Sequence, residues 1–156
     1  MADVIFNQAL GRIRTFADNA AGGVANAAFV IVLLKAAEAD AVLRDYDDLA
    51  ALLGAVGNTE ADFTNYARKT VSGADITVTV DDVNDLVDID IPDQTWLAAG
   101  GTVNNTLVKL LVCYDADTTA GTDANIIPIS AHDFAVTTDG SALTAQINAG
   151  GLLRAS

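Results

Sequence analysis

The strongest constraint in this chain is the run Ala27-Ala28-Phe29-Val30-Ile31-Val32-Leu33-Leu34, bounded by Asn26 and Lys35. A surface strand or helix carries polar residues along one side. This run carries none, so whatever it forms must be covered all round. Its length and β-branched content favour a strand buried on both faces, and a buried helix is the competing reading. A membrane-spanning helix takes about 20 apolar residues, so the run is too short for one. Thr106 to Tyr114 is a second long apolar stretch, with Lys109 its only charge, and reads as a central strand.

Around these runs the pattern is that of an antiparallel β protein. Ile76, Val78 and Val80 alternate with Thr77 and Thr79, and Val87, Ile89 and Ile91 alternate with Asp88 and Asp90. Two-residue alternation puts the aliphatics on one face of a half-buried strand. Further strands are expected at Phe63–Val71, Thr95–Ala98, Ile126–Ile129, Phe134–Thr137 and Leu143–Ile147, with turns at Ser72-Gly73, Gly100-Gly101 and Asp139-Gly140. Asp45, Asp47 or Asp48 can cap a short helix that runs to about Leu53 and stops at Gly54 and Gly57. Phe6, Leu10, Ile13 and Phe16 recur at helical steps, and an extended arm packing on a neighbour is the alternative. Asp18 to Asn26 reads as a flexible connection. The expectation is a mainly β protein, α+β at most. It has an antiparallel β-sandwich or barrel-like body with one or two short helices. Residues 1–26 form an N-terminal arm or helix, and residues 27–156 a single β-rich domain.

Charge narrows the partners. The chain has 8 Lys and Arg against 21 Asp and Glu, a net charge of −13, and 19 of the acids are Asp. Half the residues are hydrophobic, which argues against acidic disorder. A field of this sign repels phosphate backbones and anionic lipid, so neither nucleic acid nor membrane is an expected partner. Cys113 is the single cysteine and His132 the single histidine, too few for a zinc site or an internal disulfide. The chain starts without a basic segment ahead of an apolar run, so a secretory signal is not expected and synthesis in a reducing cytoplasm is.

Each chemical candidate has a plainer reading beside it. Asp115, Asp117 and Asp123 lie in a Thr- and Gly-containing segment that resembles a calcium loop. Ala120 and Ile126 stand where an EF-hand places glycine and glutamate, and a solvated turn rich in capping residues is the alternative. The run Asp81, Asp82, Asp85, Asp88, Asp90 and Asp93 could hold a catalytic carboxylate pair, or, as the outward direction of Asp88 and Asp90 suggests, simply form the wet face of a strand. His132-Asp133 could orient an imidazole and Cys113 could act as a nucleophile. Cys113, however, sits inside Leu110-Leu111-Val112-Cys113-Tyr114, where cysteine behaves as a small hydrophobe. No nucleophile elbow and no phosphate-binding loop is present. No enzyme activity and no cofactor is expected. Trp96 reads as a core residue or as an interface anchor.

The order of segments resembles a group of small virion proteins of tailed bacteriophages. The resembling stretches are Ile5-Phe6-Asn7-Gln8-Ala9-Leu10-Gly11-Arg12, Asn26 to Leu34, Leu43-Arg44-Asp45-Tyr46-Asp47-Asp48-Leu49 and Asn65-Tyr66-Ala67-Arg68-Lys69. Ile89-Asp90-Ile91-Pro92-Asp93-Gln94-Thr95-Trp96 and Val112-Cys113-Tyr114-Asp115 complete them. Together they span nearly the whole chain. The resemblance implies a capsid decoration, or cement, protein on the outer capsid surface of the virion. Its partners would be the major capsid protein and further copies of itself, as trimers. Phe6, Arg12, Ile13, Arg14, Phe16 and Trp96 are the candidate interface residues. The alternatives are a tail, neck or fibre-like adhesion component, and a calcium- or carbohydrate-binding β module using Trp96 and the 115–125 loop.

Overall fold

The computed structural model describes residues 4–148 and 150–155. Its elements in chain order begin with β1 (Val4–Ile5), α1 (Ile13–Asp18), β2 (Ala28–Ala36), α2 (Asp40–Leu43), α3 (Leu49–Gly54), β3 (Thr59–Glu60) and β4 (Lys69–Val71). They continue with β5 (Thr77–Asp81), β6 (Leu86–Asp90), β7 (Gln94–Trp96), β8 (Thr106–Asp115), β9 (Ile127–Thr137), β10 (Leu143–Ala145) and β11 (Leu153–Ala155). Strand outweighs helix, 37% against 20%, and every pairing is antiparallel, so the protein is a mainly β, sandwich-like α+β body. No described helix is long and apolar enough to cross a membrane.

The two apolar runs are neighbours at the centre. The main sheet has the order β1-β9-β8-β2-β3, and β4 also pairs with β2. β2 and β8 are in register from Ala28 opposite Asp115 to Leu34 opposite Lys109. Both faces of this sheet are covered, which is why neither strand alternates. On one face Val30, Val32, Leu34, Leu111, Cys113 and Ala131 meet Leu43 of α2 and Leu49 and Leu52 of α3, with Val4 and Phe6 closing the cluster. On the other, Phe29, Ile31, Leu33, Leu110, Val112 and Tyr114 meet Ile13 and Phe16 of α1, Val71, Ile76, Ile89 and Trp96. Each such aliphatic or aromatic side chain contributes about 1.5–3 kcal/mol on burial.

The flanking elements follow local chemistry. Asp48 caps α3: its Oδ1 accepts the Ala51 N–H at 2.8 Å. The alternating segments form the β5–β6 hairpin, which β11 extends into a three-stranded sheet of order β11-β6-β5. β7 and β10 make a separate pair. After β7 the chain turns through Ala98, Gly100 and Gly101, all at positive φ. An alanine Cβ at Gly100 would stand 2.2 Å from the Asn104 Oδ1, so this turn takes glycine on steric grounds as well.

Four expectations are narrowed or corrected. Of the two readings of the N-terminal segment, arm or helix, the helix is found at Ile13–Asp18, and the segment packs into the body instead of extending from it. From Val4 onward it belongs to the body, because β1 pairs with β9 and Phe6, Ile13 and Phe16 are buried in its two clusters; residues 1–3 lie outside the described residues. Residues 18–26 are not simply a connection, since α1 passes into a wider helical turn, Asn19–Gly23, with Gly22 kinked at φ 118 inside it. Phe63–Val71 is a strand only at Lys69–Val71: Asn65 has φ 68, which no strand accommodates, and Phe63 packs edge-on against Tyr66 at 5.2 Å. The segments 126–129 and 134–137 are one strand, not two. Pro128 is tolerated there because the β8–β9 register shifts between Val112 and Cys113, so the missing N–H falls at an irregularity.

Candidate interaction surface

Most charged groups with buried or half-buried surroundings are engaged in holding elements together. Arg68 donates to both oxygens of Glu60 and to both oxygens of Asp123, and Glu60 also accepts from the Tyr66 hydroxyl. Those bonds raise the Arg68 pKa, against the opposing effect of burial, and hold Asp123 below the ordinary carboxylate range. Burial pushes the Tyr66 hydroxyl up, and its oxygen accepts the Leu33 N–H at 3.1 Å. Lys109 is buried on β8 between Asp40 and Asp133. Burial there opposes its charge, and the two carboxylates outweigh it, leaving the pKa raised.

The calcium candidates do not converge. The Asp115 Oδ1 accepts the Asp117 N–H at 3.0 Å, Asp117 accepts from the Thr119 N–H and hydroxyl, and Asp123 is held by Arg68. Among the described residues no group of three or more His, Cys, Asp or Glu side chains is placed to hold a metal ion. Cys113 is fully buried under the helices, and burial drives its thiol pKa well up. His132 is also buried, with its Nε2 2.9 Å from the Ser130 Oγ, on the opposite face of the sheet from Cys113. The two therefore cannot work as a nucleophile and base. Asp88 accepts from Arg154 at 2.7 Å in a partly exposed ion pair, with Asp90 two residues along the same strand.

The proposed interface residues divide by burial. Phe6, Ile13, Phe16 and Trp96 are core residues of their own chain and present no surface to a partner. Phe16 stacks on Tyr114 with ring centroids 4.5 Å apart. The indole N–H of Trp96 donates to the Ala67 carbonyl at 2.8 Å, and Lys69 stands over its ring. The helical spacing of the N-terminal aromatics was a burial signal, and it could not say against what. Arg12 and Arg14 are exposed, Arg12 over the Phe16 ring and Arg14 paired with Asp18 at 3.3 Å.

The open surface lies elsewhere, at the β5–β6 hairpin. Register puts Val78, Val80, Val87, Ile89, Leu153 and Ala155 on the inner face of the small sheet. That face leaves the body as it approaches the turn. Ile76 is 5% exposed, Val80 47% and Val83 90%. Beneath the overhang is an open notch of about 410 Å³ lined by Val80, Leu86, Val87 and Ala155 and by Asp81, Asp82 and Asp85, with Arg14 on its far side. Among the described residues β5 pairs only with β6, so its outer edge is open. Asp81 fixes the turn by accepting from Asn84 and Val83, and the Asn84 bonds keep its carboxyl below the usual range. The sequence did carry a signal for this site: Val83 is a lone aliphatic in the turn Asp81-Asp82-Val83-Asn84-Asp85.

No protein-family model matches this sequence, and neither a curated protein nor a solved structure is detectably similar to it.

Proposed function

We propose that this protein is a structural component of a bacteriophage virion, one that decorates the capsid exterior and stabilises it by bridging major capsid subunits. The observation that supports this reading most directly is the β5–β6 overhang. Among the described residues it leaves a strand edge open and valines exposed, features that suit association, on a body whose polar interior is spent on internal ties. The sequence resemblance supplies the setting. The excess of Asp suits display at high copy number, because like charge discourages particles from clumping. Bridging favours the assembled lattice over free subunits by mass action, and copies joined as a trimer would multiply weak contacts through effective concentration.

The test adds purified protein to capsids that lack it. Saturable uptake at hundreds of copies per particle, with rupture moved to higher temperature or stronger osmotic shock, is the expected result. Uptake of only a few dozen copies at a vertex would replace this reading with a tail or neck role. No uptake at all would end the capsid-decoration reading.

A further inference from the structure

We infer that the outer edge of β5 takes up an extended segment of a partner chain that alternates β-branched residues with lysine or arginine. This names the partner's chemistry for the surface on which the decoration reading rests. Three observations converge on that occupant. Thr77–Asp81 offers unpaired backbone groups along one side among the described residues, and β-branched side chains on an open edge suit strand addition. An added strand would set alternate side chains beside Val78 and Val80, over the apolar floor of the notch. Its other side chains would stand beside Thr77, Thr79 and Asp81.

Charge then selects among partners. Asp81, Asp82, Asp85, Asp88 and Asp90 fall within residues 77–90, a stretch that contains no Lys or Arg. Arg154 pairs with Asp88 and also draws on Asp81, and Arg14, the cation lining the notch, is already paired with Asp18. Asp81, Asp82 and Asp85 therefore leave the notch with net negative charge, on a chain of net charge −13. A cationic segment is steered toward such a rim and an acidic one is repelled. A second copy of this chain brings the same acidic turn and the same overall charge, so it is the disfavoured occupant.

The probe is the capped hexapeptide Lys-Val-Thr-Val-Lys-Val, titrated into the full chain and followed by amide exchange and calorimetry at low and moderate salt. Saturable binding is expected, with slowed exchange confined to Thr77–Asp81. Affinity should fall about tenfold or more on raising salt, and binding should vanish when the two lysines become glutamates. The Asp82→Asn/Asp85→Asn variant keeps residues that suit this turn and should bind several-fold more weakly at low salt. Slowed exchange elsewhere, equal binding of the glutamate peptide, or no binding would overturn the inference. So would β5 protection that grows with protein concentration alone, since the edge would then belong to a second copy. Capsid uptake separates the two readings. Peptide binding without uptake removes the decoration role and leaves the edge, and normal uptake by a chain that ignores the peptide does the reverse.

Discussion

Arg68 and Asp123, 55 residues apart in sequence, meet through two hydrogen bonds of 2.6 and 2.9 Å. The pair ties the loop before β4 to the turn before β9, and Glu60 on the other side of the guanidinium extends the tie to β3.

This tie makes the protein acid-sensitive in a defined direction. Asp123 is held below its unfolded pKa of about 3.9, chiefly by the Arg68 hydrogen bonds. Its contribution is complete above that value and is lost as pH falls through the lowered folded value. Between about pH 5 and pH 2 the parent protein should therefore lose stability more steeply than Asp123→Asn. Near neutral pH that variant should be about 1 kcal/mol less stable, a modest figure because the pair is partly exposed. Urea titrations at stepped pH measure both effects.

The acidic loop should ignore calcium. Asp115 and Asp117 already accept hydrogen bonds from within the loop, and Asp123 faces Arg68. Melting temperatures in millimolar calcium and in chelator should coincide.

Cys113 should be inert while the fold is intact. It has no exposed surface, and burial raises its thiol pKa, so almost no thiolate is available near neutral pH. Labelling by a thiol reagent should proceed only through opening of the sheet and should accelerate with denaturant in parallel with unfolding.

The Phe16–Tyr114 stack should be among the costliest contacts to remove. Phe16→Ala empties the seam between α1 and β8 and should cost about 3–5 kcal/mol. Arg12→Ala, which loses only an exposed contact over the same ring, should cost less than about 1 kcal/mol. Denaturant midpoints separate the two.

Legibility in the sequence followed how directly a residue's environment is encoded locally. β2 and β8 could be read because burial on both faces leaves no polar alternation, and α3 because Asp48 is a strong cap. The β5–β6 hairpin was announced by its period of two. Phe63–Tyr66 misled because a loop can drive aromatics into a core as well as a strand can. β9 was split because Ser130, His132 and Asp133 look like a polar break, although Ser130 and His132 bond to one another within the strand. β11 carries no local signal because three residues are too few to show a period of two. The open β5 edge has no local signature for a related reason. An open edge is a property of the assembled sheet, and only Val83 hinted at it.

The pairing of β2 with β8 also bears on how the protein is made. β2 leaves the ribosome as an uninterrupted apolar strand, and the residues that cover its long edge, 106–115, are still untranslated. At roughly 5–20 residues per second the wait lasts several seconds or more, during which Phe29 to Leu34 is an exposed sticky segment. Slow codons between positions 36 and 106 would lengthen that interval, so insoluble product should rise when translation of that stretch is slowed.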